Sequence, residues 1–483
     1  MLQMHKLMIA LASLAAALVA WPTGLAAQTR PKTAAERVDS YLRRQMDTYG
    51  IPGMQAAVVQ HGRIVLLRSY GIASVELGVP VTDRTVFAIN SITKAFTGVA
   101  AMRAVEAGRL DLSAPVSTYL DDLPDAWRTV TVRQLLSHMS GLPELTRAPT
   151  VETDQAQAWA WVQTQPLQFG AGERFSYTQT NYTLIQRILN RLGRTPADFP
   201  LAGTQLQLAG MTHSFYGDST ELVPGKAPTY RFTPGPTPAV RTLRPAVERF
   251  LPFRRASSGL NSTAEDLAKW IIALQNGRLI GAAARETMWT PAAFNDGRAG
   301  QWGMGWQVLP RGRGRAVGMT GGGRAAVYIY PEHDVAVVLL TNLAGAYPED
   351  MVDRIASIYA PGIELTGVPA LRIALEERGY DQAATLAAEL ARRDPALGWN
   401  EAELNDWGYR LLSSGRPHEG LEVLKLTVAL FPASGNAHDS VAEAFAANGE
   451  PASAIVHYRR ALELDPANEN ARRQLLRLEA PPG

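Results

Sequence analysis

Between Ala34 and Ala73 the spacing of apolar positions changes from helical to extended. Val38, Tyr41, Leu42 and Met46 recur at three- and four-residue intervals, which predicts a helix over 34–48 that stops at Gly50 and Pro52. MQAAVVQ and RIVLLRSYGIA follow, dense in β-branched and apolar residues and separated by His61 and Gly62, so two strands joined by a tight hairpin are expected. The same arrangement returns downstream, where AVYIYP and VAVVLLTN bracket Glu332 and His333. Local pattern does not say how the two hairpins pair with each other.

Two stretches follow neither period. Residues 224–255 contain Pro224, Pro228, Pro234, Pro236, Pro238, Pro245 and Pro252, which argue against a regular helix or a central strand. This segment is expected to be a long excursion over the functional site. After Pro361 the chain turns rich in alanine and leucine and repeats itself. Aligning 401–434 with 435–468 puts Gly415 over Gly449, Gly420 over Ala454, Thr427 over Ala461 and Pro432 over Pro466, a period of 34. The pair resembles tetratricopeptide repeats. The second carries Ala442, Phe445, Ala454, Tyr458, Ala461 and Pro466 where such repeats pack, and the first departs at Gly420 and Thr427. Residues 370–395, with Gly379, Tyr380 and Pro395, read as a third, degenerate unit. A helix over 370–392 and the terminal run ENARRQLLRLEA are expected to cap the stack.

Composition adds limits. With 483 residues, 46% of them hydrophobic and 19% charged, the chain has room for two or three ordinary globular domains. A net charge of +2 points to no class of partner, and no basic run interleaved with aromatics suggests nucleic acid. There is no cysteine, so disulfides and thiolate chemistry are excluded. His61, His138, His213 and His333 are scattered without metal-binding spacing, so neither a metal nor another cofactor is expected. Lys6, the apolar run LMIALASLAAALVAW and the small residues of GLAAQ read as a signal peptide over 1–27, which predicts a periplasmic or secreted protein with no membrane span in the mature chain.

The sharpest chemistry lies in FAINSITKAF. Ser91 and Lys94 stand one helical turn apart in an otherwise apolar segment, and the only other lysines are Lys6, Lys32, Lys226, Lys269 and Lys425. A lysine desolvated among Ile89, Ala95, Phe96 and Val99 is driven toward its neutral amine and becomes a base for a serine nucleophile. The plainer alternative is a helix-capping serine followed by a lysine that snorkels to water.

Ser91 and Lys94 have company in LLSHMSGLP at 135–143, FSYTQTNY at 175–182, SSGLNSTAEDLAKW at 257–270, WGMGW at 302–306 and GMTGGG from Gly318. In this order and spacing, over roughly 35–360, the chain resembles the serine β-lactamase and penicillin-binding protein superfamily. The likeness is to its branch of class C β-lactamases, D-alanyl-D-alanine carboxypeptidases and related esterases. The resemblance implies an α+β fold: a β-lactamase/transpeptidase-like antiparallel sheet built from both chain ends and flanked by helices, over 34–360. An α-helical repeat domain over 365–480 follows it.

The resemblance also implies roles. Ser91 forms an acyl-enzyme, Lys94 accepts its proton, and Tyr177 relays protons in acylation and deacylation. Gln179, Thr320, Gly321 and Gly322 fall at substrate-binding positions, with the amides of Ser91 and Gly322 as the oxyanion hole. Gln179 departs from an asparagine. Met319 stands where the family carries Lys or His, which removes a cation and disfavours anionic β-lactams and D-Ala-D-Ala termini. An exported esterase or peptidase acting on a small-molecule or peptide substrate is therefore expected. The alternatives are a peptidoglycan-directed D-amino-acid peptidase, and a catalytically degenerate scaffold that binds a protein or peptide through its repeats. His138, Ser257 and Ser258 are assigned no chemistry.

Overall fold

The computed structural model describes residues 32–193, 202–234, 241–394 and 398–479. The expected signal peptide lies outside them. Among the described residues, no helix is long and apolar enough to cross a membrane.

The first helix, Ala34–Tyr49, is capped by Thr33 and Glu36 in a reciprocal box and ends at Gly50 in the left-handed region. Strands β1 (Gly53–Gln60) and β2 (Arg63–Ser74) turn at His61 and Gly62, both with positive φ, as a two-residue hairpin requires. The short β3 (Val79–Pro80) pairs with β2. The later strands are β4 (Gln307–Arg311), β5 (Gly314–Gly321), β6 (Ala325–Tyr330) and β7 (Val335–Thr341). They complete a seven-stranded sheet in the order β3-β2-β1-β7-β6-β5-β4, with all pairs antiparallel. β1 lies directly against β7, with Met54 opposite Thr341. The two chain ends therefore share one sheet, as the family pattern implies.

Helices cover both faces, which is why β7 is apolar at nearly every position. Val335, Val337 and Leu339 face the layer formed by the first helix and the helix Glu349–Tyr359. Ala336, Val338 and Leu340 face the larger helical layer that carries the candidate site.

The proline-rich excursion differs from expectation at one point. Tyr230–Pro234 is the middle strand of a small sheet, pairing with Arg241–Pro245 on one side and Leu343–Ala344 on the other. The prolines flank Tyr230, Arg231, Phe232 and Thr233 and so leave their amides free to bond; Tyr230 N donates to Asn342 O at 2.7 Å.

Beyond the sheet, the expected single helix over 370–392 is two, Gly367–Arg378 and Ala383–Arg393, broken at Gly379, whose φ is 97°. Four helices follow in two pairs, Glu401–Ser413 with Pro417–Leu430 and Gly435–Ala447 with Pro451–Leu464. Glu469–Glu479 closes the stack. Ala442, Ala454 and Ala461 are fully buried where paired helices approach, and Tyr458 packs among them.

The first helices of this stack are bound to the sheet layer. Asp350 accepts from Arg410 at 2.9 and 3.1 Å and pairs with Arg372 at 3.2 Å, while Arg416 donates to Tyr49 at 3.0 Å.

Candidate active site

Ser91 sits in a short 3-10 turn, Asn90–Ile92, that runs into the helix Thr93–Glu106. That helix is buried along most of its length, so Lys94 cannot snorkel and is fully enclosed. The helix is held by close backbone approach: a Cβ on Gly98 would lie 2.2 Å from Met304 O in the WGMGW segment.

Lys94 Nζ lies 3.2 Å from Ser91 Oγ, 2.9 Å from Gln179 Oε1 and 3.0 Å from the Ser257 carbonyl oxygen. None of the three is a carboxylate. Burial pushes the Lys94 pKa well below its usual range, with Glu144 opposing and Arg254 adding to the fall. A neutral amine has two N–H donors and one lone pair. Two of its partners are carbonyl oxygens that can only accept, so both donors go to them and the lone pair is left for the Ser91 hydroxyl.

Tyr177 completes the circuit by donating its phenol to Ser91 Oγ at 2.8 Å. Burial raises the Tyr177 pKa, against the hydrogen bonds to Ser91 and Gln179. The phenol is thus held toward its protonated form while the lysine is driven toward its neutral amine. Behind it lies the His138 ring, 4.3 Å away between centroids and tilted by 31°. His138 Nδ1 faces Thr178 N and Asn181 Nδ2, both at 3.2 Å, which sets it as an acceptor, and burial keeps the ring neutral. His138 backs the Tyr177 ring, a contact that fits a structural residue with no chemistry of its own.

The end of β5 is pressed against the nucleophile turn. A Cβ on Gly321 would meet Ile89 O at 2.0 Å, and one on Gly322, where φ is 57°, would meet Asn90 Nδ2 at 2.7 Å. The backbone amides of Ser91 and Gly322 therefore belong to two closely apposed segments. These are the two amides that the family pattern assigns to the oxyanion hole.

Three expected substrate contacts are placed differently. Odd positions of β5 face the helical core, so Met319 is 2% exposed and belongs to that core rather than to a ligand-facing surface. Thr320 points the other way, into a groove of about 510 Å³ that it lines with Tyr328, Glu349 and, from the helical stack, Arg372 and Arg410. Gln179 has its amide oxygen bound to Lys94 at 2.9 Å. Ser257, read only as a turn residue, supplies a carbonyl to Lys94. One trio outside this region, Asp381, His418 and Glu422, brings potential ligand atoms within 4.8 Å of one another; it is largely exposed, and His418 already pairs with Asp381 at 2.8 Å.

An antiparallel sheet packed on a helical layer, with a lysine-paired serine at their seam, defines the class of serine β-lactamases and penicillin-binding proteins. The family model described as Beta-lactamase matches residues 38–360, and the chain belongs to that family. A tetratricopeptide repeat model matches 435–478. "Protein flp" of Staphylococcus aureus (strain MRSA252) is 26% identical over 247 residues, 49% of this chain and 48% of the relative. The chain thus spans about half the length of the curated relatives it matches. Among solved structures, a D-alanine carboxypeptidase AmpC from Burkholderia cenocepacia aligns at 21% identity with a TM-score of 0.56, over 67% of this chain and 98% of the other. EstCE1, described as a hydrolase with promiscuous acyltransferase activity, aligns at 20% and 0.57, over 68% and 98%. At these identities the likeness is one of fold.

Proposed function

We propose that this chain is an exported serine hydrolase that forms an acyl-enzyme through Ser91 on neutral ester or amide substrates. The observation that carries the reading is the environment of Lys94: fully buried, with two carbonyl oxygens and the Ser91 hydroxyl within hydrogen-bond distance and no carboxylate among them.

In acylation, the Ser91 proton passes to Lys94 Nζ as Oγ attacks the substrate carbonyl. The developing oxyanion takes the amides of Ser91 and Gly322. Tyr177 gives its proton to the leaving alkoxide or amine and is reprotonated from Lys94. In deacylation the same groups run in reverse on a water molecule.

Ester or peptide turnover is favoured over β-lactam turnover because Met319 offers no cation and is withdrawn into the core. Relatives of the same fold include a carboxypeptidase and a promiscuous hydrolase, so both chemistries are within reach of the architecture. Export rests on the apolar run after Lys6, and a protein or peptide partner on the repeats.

The test is intact-mass analysis after exposure to a fluorophosphonate. Wild type should gain one phosphonyl group and Ser91→Ala none. An unlabelled wild type, or label retained in Ser91→Ala, would refute the assignment.

A further inference from the structure

Asn90, the residue before the nucleophile, holds φ at 42°, a left-handed conformation that a non-glycine residue keeps when its surroundings fix it. Its side chain is tied to Glu248. Glu248 Oε1 accepts from Asn90 Nδ2 at 3.1 Å and from Arg324 Nη2 at 2.7 Å, and Oε2 accepts from Arg324 Nη1 at 2.9 Å. Arg324 is 3% exposed and also donates to Thr229 Oγ1 at 3.0 Å.

The cluster stands against the oxyanion turn. A Cβ on Gly322 would lie 3.2 Å from Arg324 Nη2 as well as 2.7 Å from Asn90 Nδ2. Glu248 comes from the proline-rich excursion and is fixed there by a double bond to Ser219: its N–H donates to Ser219 Oγ and its carbonyl accepts from Ser219 N, both at 3.0 Å. Lys226 and Arg254 also lie within its electrostatic reach. Position 319 holds no cation, yet Arg324 brings one to the neighbourhood of Gly322. A bidentate carboxylate cancels it.

We propose, building on the hydrolase reading above, that Glu248 is a specificity-determining and positioning residue: it neutralises Arg324 beside the oxyanion turn and so turns the cleft toward uncharged acyl groups. With Glu248 made neutral, the uncancelled guanidinium attracts a substrate carboxylate through the buried wall of the cleft, where screening is weak. With Arg324 made neutral instead, Glu248 repels that carboxylate.

The test compares kcat/KM for two esters with the same nitrophenyl leaving group, a neutral butyrate and a hemisuccinate that ends in a carboxylate. Glu248→Gln should raise the hemisuccinate-to-butyrate ratio by on the order of fivefold, and Arg324→Gln should lower it. The double variant should return it to the wild-type value. A purely structural role would depress both esters together and leave the ratio in place. An unmoved ratio in either folded single variant, or a raised ratio that persists in the double variant, overturns the proposal. Absence of Ser91-dependent turnover of both esters in wild type counts instead against the hydrolase reading, and the proposal falls with it.

Discussion

Lys94 in the cleft and Arg311 on the opposite face of the sheet are both buried cations, and their neighbours give them opposite fates. Lys94 meets three neutral oxygens, and burial drives it toward the uncharged amine. Arg311 donates to both carboxylate oxygens of Asp353, at 2.8 and 3.1 Å, and the Tyr330 hydroxyl donates to the same carboxylate at 2.8 Å. Burial works against the Arg311 charge as well, but Asp353 outweighs it and the guanidinium is held charged. Burial alone therefore does not mark a reactive cation. What marks Lys94 is burial without a carboxylate partner, beside a hydroxyl placed to give up a proton.

Substituting each cation by methionine, which keeps the bulk and removes the charge, should separate the two cases. The largest effect is expected in the cleft: Lys94→Met should lower the rate of Ser91 acylation by about 10²–10⁴-fold, the usual range for a general base, as followed by phosphonylation kinetics. Next comes Arg311→Met, which strands the Asp353 carboxylate in the interior and should cost about 3–5 kcal/mol in chemical denaturation. An Arg311→Met variant as stable as wild type would show that this pair is not holding the sheet layer as described.

The smallest effect has the opposite sign. Because the folded-state pKa of Lys94 is depressed, the unfolded chain binds more protons between that value and the ordinary lysine value of 10.5, so its burial costs stability throughout neutral pH. Lys94→Met should therefore stabilise the fold by about 1 kcal/mol near pH 7, a gain that shrinks as pH rises toward the ordinary lysine range. Destabilisation by this substitution would mean that the amine is charged and paired in the native state.

The same contrast explains what could be read in the sequence. The Ser91 and Lys94 spacing, both hairpins and the period of 34 rest on local rules, and each is found where those rules put it. The neighbours that decide chemistry are distant in sequence. Gln179 is 85 residues from Lys94, Ser257 is 163, and Glu248 is 158 from Asn90, so only the folded packing brings them together. Met319 was partly legible. Strand alternation assigns it to the same face as Val317, a core position, but the family motif drew attention to its chemistry rather than its side of the sheet. Gly379 likewise signals a break inside the helix expected over 370–392, because its left-handed φ interrupts a run of otherwise helix-forming residues.

The central claim, that Lys94 reaches Ser91 as a neutral base, is tested most directly by the pH dependence of Ser91 phosphonylation in wild type and Lys94→Met. The wild-type rate should rise through an ionisation well below the ordinary lysine value of 10.5 and then level off, and this step should be absent in Lys94→Met. Tyr177 is not the titrating group, since its own pKa is raised. A wild-type rate that keeps climbing into the ordinary lysine range, or an identical profile in Lys94→Met, would contradict the account.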